Sequence, residues 1–125
     1  MIYLDTHVVV WLYAGLTEKF SALARGLIND EEVHISPVVR LELQYLFEVN
    51  RVTVGTDTIV SDLASRIGLQ VCTRPFNRVV TQAIAYRWTR DPFDRLIVAN
   101  AGLHNNILLS KDENIQRNYP FARWA

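Results

Sequence analysis

Four short apolar runs, "IYL" at 2–4, "EVHIS" at 32–36, "LQVCT" at 69–73 and "NILLS" at 106–110, are each followed by residues with helical spacing. This alternation constrains the fold more than any other feature. Strands joined through helices pair in parallel, and a parallel sheet buries both of its faces under those helices. The chain is therefore expected to form an α/β domain around a mostly parallel sheet. In such sheets ligands bind beyond the carboxyl ends of the strands, so the residue after each run is the one to inspect.

Helix signals fill the intervals. A helix is expected from His7 to Tyr13, broken by Gly15, and a second from a Thr17 cap to Asn29. Ser36 and Pro37 form an N-cap and first-turn pair for a helix reaching Val49. Residues 51–55 read as a loop. Thr56 or Asp57 caps a helix through Ile67 that Gly68 ends. Pro75 opens a helix to Arg87, Asp91 and Pro92 open another to His104, and Asp112 begins a short last one. The tail "YPFARWA" reads as an edge strand or an interface segment.

The 125 residues are half hydrophobic and show no repeat or Gly/Ser-rich linker, which fits one domain spanning 1–125. The single cysteine, Cys72, has no partner for an internal disulfide and reads as a small core residue. No apolar run approaches the ~18 residues of a membrane span, and no basic leader precedes the first apolar run. A cytoplasmic protein without membrane contact is expected. Net charge is zero but uneven. Residues 1–65 carry four bases against nine acids, a net of minus five, and residues 66–125 carry nine bases against four acids, a net of plus five. A basic half suits a polyanion. If the halves interleave in the fold, the asymmetry carries no meaning, and that reading is preferred.

The acids carry the chemistry. Asp5 directly follows "IYL" and Asp112 follows "ILLSK", where an aspartate also serves as a helix N-cap. Glu42 and Asp94 are harder to assign to structure. At about 100° per residue, Ile97, Val98 and Ala101 all fall within about 60° of Asp94, on the stripe that the helix buries. Glu42 likewise sits in the apolar arc of its helix, with Leu41, Tyr45 and Leu46. A buried carboxylate without a partner costs several kcal/mol, so each needs an arginine, a proton or a metal. Asp91 is read as the N-cap of the helix that Asp94 enters.

Parallel-sheet geometry brings strand ends and helix starts to one rim, where four carboxylates repel one another and favour protonation. A hard divalent cation with oxygen ligands, such as Mg²⁺, relieves that conflict. No Cys/His cluster points to zinc, and His7, His34 and His104 read as surface or satisfied histidines. Acid-held Mg²⁺ suits phosphodiester hydrolysis. Thr6 and Ser110 are placed to orient an acid or a water, with capping as their alternative role. Arg87, Arg90 and Lys111 are the candidates for holding a negative substrate. Arg87 is expected to point inward or at a helix end near the rim. Arg95 and Arg117 read as solvated charges or partners of acids.

The segments "MIYLDTHVVVWL", "SPVVRLELQYL", "DPFDRLIVANA" and "ILLSKD", in that order, resemble the PIN domains of VapC type over nearly the whole chain. The resemblance implies a PIN-like three-layer α/β/α sandwich and a Mg²⁺- or Mn²⁺-dependent endoribonuclease acting on RNA. It also implies the toxin of a toxin–antitoxin pair, a homodimer, and an antitoxin protein as partner. The family's acidic positions fall on Asp5, Glu42, Asp94 and Asp112, with Asp91 in support and Ser110 standing where a threonine is common. Two other classes compete. A phosphoacceptor receiver domain needs an acceptor aspartate after a central strand, and Asp57 follows a poor one. A non-catalytic RNA- or protein-binding module of the same fold has no use for clustered acids.

Overall fold

The computed structural model describes all 125 residues. Five strands form one sheet in the order β3-β2-β1-β4-β5, with every pairing parallel. They are β1 (Ile2–Leu4), β2 (Val33–Ile35), β3 (Gln70–Val71), β4 (Ile107–Leu109) and β5 (Ala122–Arg123). All three residues of β1 and all three of β2 are buried. Successive strand side chains point to opposite faces, so this pattern requires a cover on both sides. The cover comes from α1 (Thr6–Ala14), α2 (Ala22–Asp30), α3 (Pro37–Glu48), α4 (Thr56–Ile67), α5 (Phe76–Ile84), α6 (Pro92–Gly102) and α7 (Glu113–Asn118). The result is the expected three-layer α/β/α sandwich. Each fully buried Ile or Leu of the central strands contributes about 1.5–3 kcal/mol.

The strand order interleaves the two halves of the chain. β1 and β2, from the acidic half, lie between β3 on one side and β4 with β5 on the other. The tail does supply an edge strand. Its Trp124 is buried against Trp11 and Phe20, with ring centroids 5.7 and 5.5 Å apart, and the Ser21 hydroxyl donates to the Trp124 carbonyl.

Several local expectations are corrected. Thr17 starts only a 3₁₀ turn, Thr17–Lys19, and α2 begins after Ser21, whose Oγ accepts from the Ala24 N–H at 3.0 Å. The N-cap of α4 is Gly55 with no side-chain bond, rather than Thr56 or Asp57. "LQVCT" yields a strand of two residues only. Cys72 is buried as expected, but in polar company: the Tyr3 hydroxyl donates to its sulfur at 3.1 Å and Asn100 Nδ2 at 3.2 Å. Helix α5 stops at Ile84, because Arg95 crosses to its end and donates to the carbonyls of Ala83 (3.2 Å) and Ile84 (3.1 Å). Arg87 thus lies beyond the helix and is exposed, so it does not point inward. Leu41 and Tyr45 share the apolar arc with Glu42 by periodicity, yet they are 62% and 51% exposed. The core side of α3 is Val38, Val39 and Leu43.

Candidate active site

Three aspartates cap the helix that follows them, Asp5 and Asp112 after strands and Asp91 at the end of the loop between α5 and α6. Asp5 Oδ1 accepts from the Thr6 N–H at 2.8 Å, Asp91 Oδ1 from the N–H groups of Phe93 (2.8 Å) and Asp94 (3.3 Å), and Asp112 Oδ1 from the Ile115 N–H at 2.9 Å. Capping and site formation therefore do not compete. Each cap turns a carboxylate toward a helix N-terminus at the same rim, where the helix dipole favours negative charge.

That rim holds a cavity of about 430 Å³ whose lining includes Asp5, Thr6, Glu42, Asp91, Asp94 and Asp112. The four acids singled out from the sequence come from β1–α1, α3, α6 and β4–α7 and meet here. Hydroxyls brace them. Thr6 Oγ1 donates to Glu42 Oε1 at 2.5 Å, and the fully buried Ser110 donates to Asp5 Oδ2 at 2.7 Å while accepting from the Asp112 N–H at 3.1 Å. These bonds join three chain segments, β1–α1, α3 and β4–α7, into one frame.

The acids are not neutralised by guanidinium groups. The one contact between an acid and a basic side chain in the cavity is His7 Nδ1, 3.4 Å from Asp5 Oδ2, while His7 Nε2 accepts from the Lys111 N–H at 3.0 Å. Uncompensated charge has its usual consequence. Burial raises the Asp94 carboxyl, and the charges of Asp5, Asp91, Asp112 and Glu42 add to it, so that it is pushed up to about 7. Glu42 is also raised, by burial first and by Asp5 and Asp91, against the opposing bond from Thr6. Yet no group of three or more Asp, Glu, His or Cys side chains stands as a ready-made metal cage. The carboxylates surround one space without closing on a point. The donor set of hard, partly protonated oxygens still fits a divalent oxygen-seeking cation, whose charge would relieve the repulsion.

Arg87, Arg90 and Lys111 are exposed and do not line the cavity. The residues that do line it without having been chosen from the sequence include His7, Trp11 and Arg51, beside the aliphatic Val10, Leu46 and Val52. His7 and Trp11 lie in the "DTH" and "W" of the first motif, which was the available signal. Arg51 carried none. A neighbouring cavity of about 290 Å³ shares Trp11 but is mostly apolar and holds no carboxylate, so the acid chemistry belongs to the first. Asp57, the acceptor that a receiver domain requires, lies exposed in the first turn of α4, which removes that reading.

Residues 2–120 match the PIN domain family. A protein described as ribonuclease VapC22, from Mycobacterium tuberculosis, is 26% identical over 117 residues, 92% of this chain and 89% of its own. Two solved structures share the fold. VapBC2 from Rickettsia felis, bound to a DNA fragment from its promoter, superposes with a TM-score of 0.66 at 21% identity, covering 100% of both chains. A toxin–antitoxin complex from Klebsiella pneumoniae gives 0.69 at 15% identity, covering 98% of this chain and 96% of its own.

Proposed function

This chain belongs to the PIN domain family, and from that premise we propose that it is a Mg²⁺- or Mn²⁺-dependent endoribonuclease, the toxin of a toxin–antitoxin pair. The observation that supports this reading most is the convergence of Asp5, Glu42, Asp94 and Asp112, from four separate segments, on one cavity without an arginine paired to any of them. These four residues would hold the cation. Bound there, it supplies Lewis acidity toward a phosphodiester and makes a water more acidic.

The chain's own residues set the conditions for that chemistry. Thr6 fixes Glu42 and Ser110 fixes Asp5, so neither acid swings away when the other charges approach. Asp94, pushed up to about 7, is partly protonated near neutrality in the metal-free protein, so loading the site is linked to proton release.

A cognate antitoxin is the expected protein partner, as in the toxin–antitoxin complexes that share the fold. A homodimer is expected as well. The exposed apolar side chains of Leu41 and Tyr45, with Phe93 6.5 Å from Tyr45 by ring centroid, offer it a surface. No helix is long and apolar enough to cross a membrane, and a cytoplasmic site of action is proposed.

A non-catalytic RNA- or protein-binding module is the second reading, favoured by the lack of a closed three-ligand cage. One experiment separates the two: incubation of single-stranded RNA with the protein in Mg²⁺, in EDTA, and with Asp5→Asn in Mg²⁺. Cleavage that both EDTA and the substitution abolish supports the nuclease. Metal-independent binding without cleavage refutes it and favours the module.

A further inference from the structure

We infer that Arg51 is the positioning residue that holds the RNA backbone beside the acidic cavity, gripping a phosphate next to the one that is cut. This rests on the ribonuclease reading above. Five carboxylates line the cavity, and a polyanion entering it meets repulsion that a bound cation only partly offsets. A fixed positive group at the rim is needed. The lining contains one arginine, Arg51, and no lysine.

Arg51 is exposed, and its side chain makes no ion pair. Its donors are therefore free for a ligand, unlike those of Arg95, which are spent on carbonyls. Its backbone, by contrast, is held. Asn50 adopts φ 63°, and the N–H groups of Arg51 (2.7 Å) and Val52 (3.3 Å) both donate to the Leu46 carbonyl, closing the end of α3. The helix that carries Glu42 into the cavity thus also fixes Arg51 at its mouth. Glu42 lies about 9 Å along the axis before α3 ends at Glu48, and Arg51 follows beyond that end, so Arg51 is placed for a phosphate next to the one among the carboxylates. A planar guanidinium with several N–H donors suits that contact.

The test uses steady-state cleavage of a single-stranded RNA in Mg²⁺ by wild type, Arg51→Ala and Arg51→Lys. Alongside it, binding of the same RNA to Asp94→Asn and to Asp94→Asn/Arg51→Ala is followed by fluorescence anisotropy across a salt series. Arg51→Ala is expected to raise KM about tenfold, equivalent to about 1.4 kcal/mol, with kcat changed less than about twofold. Arg51→Lys recovers part of the loss. The salt slope of binding falls by about one. If wild type cuts RNA while Arg51→Ala keeps its KM and salt slope, or loses only kcat, the Arg51 assignment is overturned and the ribonuclease reading stands. A wild type that neither cuts nor binds RNA overturns both.

Discussion

The Ser110 hydroxyl donates to Asp5 Oδ2 at 2.7 Å across 105 residues of sequence, and its oxygen accepts the Asp112 N–H. One fully buried oxygen thus ties the carboxyl end of β1 to that of β4 and sets the relative position of two site acids. Ser110→Ala leaves Asp5 Oδ2 and the Asp112 N–H without this partner. It is expected to cost about 1–3 kcal/mol of stability. Mn²⁺ affinity should fall about tenfold, as when a partner that orients a ligand is removed. Titration calorimetry with Mn²⁺ and urea unfolding measure the two effects separately. Unchanged Mn²⁺ affinity would show that Ser110 serves the fold alone.

Asp94 makes the metal-free protein pH-sensitive. Its carboxyl is raised from an ordinary 3.8 to about 7, so between those values the folded state binds the proton more tightly than the unfolded one. Stability from this group is fully present below pH 3.8 and is lost as pH rises through about 7. Glu42, raised in the same direction, adds to the slope. In EDTA, Tm should fall between pH 5 and 8, and Asp94→Asn should flatten that fall. At pH 8 the same variant should be more stable than wild type by on the order of 2 kcal/mol, after allowance for solvent screening. Mg²⁺ should stabilise wild type and not the variant. A Tm that rises with pH in EDTA would contradict this electrostatic account.

The acids were legible in the sequence because two independent rules point at them. Strand-end logic selects Asp5 and Asp112, and helical periodicity marks Glu42 and Asp94 as charges on apolar faces. What was not legible depends on contacts that no local pattern encodes. The end of α5 is set by Arg95, eleven residues beyond Ile84 and in the next helix, so periodicity alone carried the helix on to Arg87. Periodicity also reports that Leu41 and Tyr45 are apolar, not whether anything covers them. Thr17 reads locally as a cap, yet α2 starts only after Ser21, past Phe20, which is buried between Trp11 and Trp124. Arg51 reaches the cavity through a left-handed residue at a helix end, a feature of turn geometry rather than of hydrophobic spacing.

The aromatic cluster at the other wall of the cavity should carry stability. Trp124 is buried on Trp11 and Phe20, and Trp11 lines the acidic cavity. Trp124→Ala is expected to cost about 3–5 kcal/mol. Ile84→Ala, at a side chain 67% exposed, should stay within about 0.5 kcal/mol of wild type. Urea midpoints compare the two directly. A mild Trp124→Ala would mean that the C-terminal strand adds little to the core.

Asn50 is the last residue whose local geometry reaches the site. Its φ of 63° is a conformation that asparagine tolerates, glycine adopts freely and β-branched residues resist. Asn50→Gly should leave both stability and RNA cleavage near wild type. Asn50→Val should lose about 1–2 kcal/mol, because the valine favours a different backbone and opens the turn that holds the Arg51 and Val52 amides on Leu46. The same opening frees Arg51 from its fixed place, so KM for RNA should rise in Asn50→Val while its pH profile of kcat is unchanged. Denaturant unfolding and steady-state kinetics on the two variants check both halves. A valine variant that is destabilised yet keeps the wild-type KM would show that Arg51 needs no fixed backbone to meet its phosphate.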